Sequence, residues 1–271
     1  MEASILNRVA RCGLVLAFVA LVRIPAQAET PGDYGCDDRP ITLAYYEFGP
    51  LYHDGVGIDR DVVEELAKRS GCRFETSLRP RAEIWQALQA GTLDMTTSGL
   101  RTEARNQFAY FVPYLGLKNV VIAAQARAGE IKTFDDVVGD THFKIGVVKG
   151  FIHGAYFDFR LKNAGSRVIG YPDQNAIYDA LRRGEVQGIV SPAFNYEYFF
   201  KTPEDRAAFV MIDVSPAPPV AQNMIFSRRR FSDAEINAWT RLLEQMRLDG
   251  TLERICRSQV SPEMTRVLLN Y

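Results

Sequence analysis

From Ile41 onward the chain alternates short apolar runs with longer segments whose apolar positions recur at helical spacing. The order predicts a strand over Ile41 to Tyr46, a helix over Asp61 to Ser70, a strand over Phe74 to Leu78, a helix over Ala82 to Ala90 and a strand over Asp94 to Ser98. The same series returns over Lys144 to Val148, Gly154 to Asn163, Arg167 to Gly170, Gln174 to Arg182 and Gly188 to Val190. The segment from Ile84 to Asp94 is echoed 93 positions later by Ile177 to Gln187, and each copy runs on to a serine, Ser98 or Ser191. One α/β unit used twice accounts for that echo. Alternating strands and helices of this length form parallel, doubly wound sheets with right-handed crossovers, so the expected fold is α/β with two doubly wound lobes.

Two segments are left to join the lobes. Val120 to Ala126 is an extended apolar run, and Ser215 to Pro219 is stiffened by three prolines, with Asn223 to Ser227 behind it. They predict a two-segment hinge, a discontinuous first lobe over residues 29–121 and 221–271, and a second lobe over 122–220. The tail from Ser232 through Ile236, Trp239, Leu242, Leu243 and Met246 reads as a serine-capped amphipathic helix docked on the first lobe.

The front of the chain has a different pattern. Arg8 and Arg11 precede an apolar run from Gly13 to Val22 and then Ala26, Gln27 and Ala28, the layout of a signal peptide over residues 1–28. A membrane anchor is the competing reading, but the run is about half of the ~20 residues needed to span a bilayer. Removing the leader takes away Arg8, Arg11, Arg23 and Glu2 and shifts 32 basic and 33 acidic residues to 29 and 32. That balance points to no nucleic-acid partner. Cys36, Cys72 and Cys256 remain in an oxidising compartment. Cys36 precedes the first strand and Cys72 the second, so parallel neighbouring strands would bring these two into a disulfide and leave Cys256 over; three buried thiols is the alternative.

A search for catalytic devices finds no nucleophile elbow, Walker loop, dinucleotide-binding glycine turn or His-Glu-x-x-His pair, and no cofactor or metal is expected. His53, His142 and His153 lack ligand-like spacing. In open α/β sheets ligands bind beyond the carboxyl ends of the strands, and those ends select the candidates. In the first lobe they are Tyr46, Glu47, Phe48, Tyr52, Arg79, Arg81, Ser98, Gly99, Arg101, Thr102 and Arg105, and in the second Lys149, Gly150, Phe151, Ser191 and Asn195. So many cations favour an anionic group on the ligand. Taken singly, Arg79 and Arg101 are more often solvated or paired with surface acids. Arg105 is the better anchor, because Thr102 can cap a helix whose free amides favour an anion and a guanidinium can hold a carboxylate in a fork.

The series Gly57-Ile58-Asp59, Asp61-Val62-Val63, Leu88 to Asp94, Thr102-Glu103-Ala104-Arg105 and Pro113-Tyr114, with the tail Asp249 to Ile255, resembles the extracellular solute-binding protein family 3. The resemblance covers nearly the whole mature chain. It implies a periplasmic binding protein fold of type II, a monomeric, non-catalytic receptor in the periplasm, and delivery of a small polar or anionic, amino-acid-like solute to the membrane permease of an ABC transporter. It assigns the ligand carboxylate to Arg105, with amides near Ser98 and Gly99. Phe151 stands where the family carries a small hydroxyl residue, one residue is missing between Gly99 and Thr102, and no acid near Ser191 and Pro192 replaces the one that takes the ligand's amino group. Two other readings use the same scaffold: a dehydratase-like enzyme acting on a small carboxylic acid, with Glu47 or Glu197 as general acid, and an accessory or sensory subunit of a periplasmic enzyme.

Overall fold

The computed structural model describes residues 34–36 and 39–271. The expected leader over 1–28, with Cys12, lies outside the described residues. In chain order the elements are β1 (Ile41–Tyr45), α1 (Ile58–Ser70), β2 (Phe74–Leu78), α2 (Arg81–Ala90), β3 (Met95–Gly99), α3 (Glu103–Asn106), β4 (Ala109–Leu117), β5 (Asn119–Ala124), α4 (Phe134–Gly139), β6 (Ile145–Val148) and α5 (Ala155–Ala164). They continue with β7 (Val168–Tyr171), α6 (Gln174–Arg182), β8 (Gly188–Pro192), α7 (Ala193–Phe199), α8 (Pro203–Ala208), β9 (Phe209–Ile212), β10 (Val220–Ser227), α9 (Asp233–Leu248), α10 (Thr251–Arg257) and α11 (Pro262–Leu269).

Two five-stranded sheets result, in the orders β2-β1-β3-β10-β4 and β7-β6-β8-β5-β9. The repeated unit supplies the three parallel neighbours of each sheet. The sheets are nevertheless mixed, not wholly parallel. β10 runs antiparallel between β3 and β4, and β5 runs antiparallel between β8 and β9. The long strand β4 carries Pro113, which masks it in the sequence pattern. The run from Val120 belongs wholly to the second sheet, so the chain crosses at Lys118, earlier than the pattern suggests, and returns between Ile212 and Val220. Lys118 Nζ meets Asp213 Oδ2 at 2.5 Å and ties the two crossings together.

Local chemistry explains the elements that hold the site. Gly71 and Gly91 end α1 and α2 in the left-handed conformation at φ 75° and 74°. Ser232 and Glu235 form a capping box at the start of α9, which buries Ile236, Trp239, Leu242, Leu243 and Met246. Parallel pairing of Ile41 with Phe74 draws together the segments that precede β1 and β2, and Cys36 and Cys72 form a disulfide there with Cα atoms 5.4 Å apart. Cys256 is a buried free thiol, pushed up to about 12 by burial. One hydrophobic cluster runs from Ile41 and Leu43 in the first sheet through Phe48 and Phe194 to Ile177 and Ile189 in the second, so the lobes share buried apolar contact.

Candidate functional site

The carboxyl ends of β1 and β3 turn into the space between the sheets. Ser98 ends its strand at φ 51°, in the left-handed region that costs a non-glycine residue roughly 1–2 kcal/mol. A buried network holds it there. Ser98 Oγ donates to Asp59 Oδ2 at 2.8 Å, and Tyr114 donates to the other carboxylate oxygen. Asp59 is fully buried and is raised to about 6 by desolvation, which outweighs the hydrogen bonds from Tyr114 and Ser98 that favour its charged form. The same turn presents the Ser98 carbonyl to Tyr46 Oη at 2.6 Å and to Arg81 Nη2 at 3.2 Å. A Cβ at Gly99 would come within 2.4 Å of Ile225 Cδ1 and 2.6 Å of Arg81 Nη2, so any larger residue would push the ends of these side chains aside.

Two guanidinium groups converge on one indole. Arg81 lies 4.4 Å and Arg105 3.6 Å from the Trp85 ring, and Arg81 also lies 4.2 Å from the Tyr46 ring. Arg81 is 4% exposed and donates to Thr97 and Ser98 carbonyls and the Thr96 hydroxyl. Arg105 donates to the Leu100 carbonyl at 3.1 Å and, across the gap, to the Gly150 carbonyl of the second lobe at 3.0 Å. Among the described residues neither forms an ion pair. Burial and, next, the charge of Arg81 pull Arg105 down to about 9, and burial lowers Arg81 as well. Arg105 remains cationic at neutral pH, and two guanidiniums side by side, one buried and one partly so, favour an anion between them.

Phe151 crosses the gap and divides the cleft. Its ring meets Tyr46 edge-on at 5.6 Å and Phe48 at 5.1 Å. Gly150 beside it has φ 82°, and a Cβ there would stand 3.2 Å from the Ala82 backbone, so the second lobe touches the first turn of α2. The inner chamber, with mainly polar walls, is lined by Ser98, Gly99, Arg105, Asn119, Gln222 and Pro192 among others. The outer one is larger, with mainly apolar walls, and is bounded by Glu47, Leu78, Arg79, Val148, Pro172 and Asp173. Tyr46, Arg81 and Phe151 wall both.

Several sequence candidates lie elsewhere. Thr102 caps α3, accepting from Arg105 N at 3.2 Å, but α3 is a single turn and its macrodipole adds little, so the guanidinium carries the charge. Arg101 is exposed and donates to Asn106, and Lys149 is exposed beside Gly170. Ser191 is fully buried, accepting from Tyr178 Oη at 3.0 Å and Asn195 Nδ2 at 3.3 Å. Tyr52 stacks on Tyr45 at 4.4 Å in a groove on the first lobe. Glu197 accepts from Ser261 at 3.3 Å in a separate groove between α7 and the turn joining α10 to α11. The pattern missed Trp85, Asn119, Gln222 and Asp173. Trp85 read as part of a helix, Asp173 fell in the turn between a strand and a helix, and the other two are polar positions in apolar crossing strands, a signal that is visible only once the crossings are known. Among the described residues no cluster of His, Cys, Asp and Glu could hold a metal, and no helix is long and apolar enough to cross a membrane.

Residues 43–258 match the family model described as bacterial extracellular solute-binding proteins, family 3. The chain is 24% identical over 261 residues to the lysine/arginine/ornithine-binding periplasmic protein of Escherichia coli K12, covering 95% of this chain and 96% of that one. It superposes with a TM-score of 0.69 on the arginine-, lysine-, histidine-binding protein ArtJ from Geobacillus stearothermophilus, at 21% identity over 84% of this chain and 99% of that one. It also superposes with a TM-score of 0.66 on the ancestral amino acid-binding protein AncCDT-1, a precursor of cyclohexadienyl dehydratase, at 20% identity over 82% and 96% of the two chains.

Proposed function

The chain belongs to the bacterial extracellular solute-binding proteins, family 3, and on that footing we propose that it is a periplasmic receptor that closes over a small carboxylate-bearing, amino-acid-like solute for an ABC transporter permease. The observation that carries this reading is the Arg81 and Arg105 pair on Trp85, Arg81 buried and Arg105 partly so, neither with an ion-pair partner among the described residues, facing a chamber walled by both lobes. A carboxylate there would accept from both guanidiniums and replace the interlobe contact of Arg105 with Gly150. A ligand that touches both lobes binds the closed arrangement better than an open one and shifts the population accordingly. The names of the relatives, which speak of lysine, arginine, ornithine and histidine, support an amino-acid-like solute.

The likeness to a dehydratase precursor favours an enzyme as the second reading. Of its two proposed acids, Glu47 reaches only the outer chamber and Glu197 lies in another groove. A thermal-shift and calorimetric panel of α-amino acids, their deaminated acids and small dicarboxylates tests the receptor reading. Arg105→Ala should weaken the best ligand more than tenfold, because losing a buried charged partner costs about 2–5 kcal/mol, and Arg79→Ala should matter less. Undiminished binding in Arg105→Ala would refute the anchor, and turnover of a bound acid would establish the enzyme.

A further inference from the structure

The outer chamber has a layout that a simple carboxylate would not use. Its wall holds Arg81, the cation it shares with the polar chamber, and a second arginine, Arg79. Its apolar walls are Leu78, Pro80, Val148, Phe151 and Pro172 from both lobes, and Leu78 stands there 55% exposed. A large apolar side chain left open beside other apolar walls marks a surface that gains by being covered. The remaining walls include two acids from opposite lobes, Glu47 after β1 and Asp173 at the start of α6. Neither forms an ion pair among the described residues. Burial holds Glu47 above its ordinary value, and the negative charges of Asp54 and Asp173 add to that. Cation, apolar wall and a like-charged pair of acids therefore share one chamber that both lobes enclose.

We propose that the solute is an elongated zwitterion: a carboxylate held inward at Arg81 and Arg105, an aliphatic body along Leu78, Val148, Phe151 and Pro172, and a terminal cation between Glu47 and Asp173. This rests on the arginine pair being the carboxylate anchor. A terminal cation offsets the repulsion between two acids that closure brings together, so the cationic end itself favours closing. The α carbon needs no substituent, since Ser191 is buried inside the second lobe and Pro192 offers no charge.

Calorimetry of the full mature chain with acetate, caproate and ε-aminocaproate tests the proposal. Each buried methylene adds about fourfold in affinity when fully desolvated, so caproate should bind at least tenfold more tightly than acetate. The terminal amine should add at least a further fivefold, falling with added salt. In the Glu47→Gln, Asp173→Asn double variant that amine advantage should shrink to within about twofold, and asparagine retains the helix cap at position 173, where the side chain now accepts from Ala176 N. Caproate and ε-aminocaproate of equal affinity, an amine advantage that survives the double variant, or no binding of any of the three would overturn the proposal. Carboxylates that bind equally well to Arg105→Ala would instead overturn the anchor on which it rests.

Discussion

Replacing Phe151 with serine isolates the contact that divides the cleft. The ring makes two perpendicular contacts across the gap, with Tyr46 at 5.6 Å and Phe48 at 5.1 Å. Pairs of this kind are worth about 0.5–1.5 kcal/mol each, so the substitution removes roughly 1–3 kcal/mol of attraction between the lobes. The remaining bridges include the Arg105 to Gly150 hydrogen bond, the Phe48 to Phe194 contact, the His53 to Tyr198 ring contact and the Ser261 to Glu197 hydrogen bond. Losing roughly 1–3 kcal/mol multiplies the open-to-closed ratio by about 5 to 150, at about 1.4 kcal/mol per factor of ten. Phe151 is only partly buried, so little of the cost should fall on global stability. X-ray scattering of the ligand-free protein should give a larger radius of gyration for Phe151→Ser than for the wild type, and saturating ligand should bring the two together. The melting temperatures should differ by no more than a few degrees. Equal radii in the absence of ligand would show that the aromatic contact does not hold the lobes, and the division of the cleft would then have no energetic meaning.

Two further outcomes are expected. Asp59 is raised to about 6 from an ordinary value near 3.8, so its contribution is fully present below about pH 4 and is lost as pH rises through 6. The wild type should therefore lose roughly 2.4 kcal/mol relative to Asp59→Asn between pH 4 and 7, and a pH-independent difference between their denaturation midpoints would contradict the burial argument. The Cys36 to Cys72 bridge closes a segment with a sequence separation of 36 residues, and the double serine variant should be less stable by about 3–4 kcal/mol. Non-reducing peptide maps that pair Cys256 instead would refute the placement of β1 beside β2.

The repeated pattern of apolar runs and helical spacings determined the three parallel strands of each sheet, because buried strands and amphipathic helices write their periods directly into the chain. Gly91 and Ser232 marked helix ends through local backbone chemistry alone. The disulfide followed once β1 and β2 were neighbours. The antiparallel strands were hidden for a different reason. β5 and β10 are apolar runs like any other, and which sheet each joins depends on partners distant in sequence. The site shows the same division. Arg105 was recognisable from the Thr102 turn, and Arg81 from its strand end, but nothing local shows that both guanidiniums rest on Trp85. Nor does it show that Ser191 turns into its own lobe, or that Phe151 splits the cleft and that Glu47 and Asp173 line the same chamber. Sequence periodicity sets which face of an element is apolar; the packing of one lobe against the other decides which polar groups lose water together, and that shared desolvation makes the site.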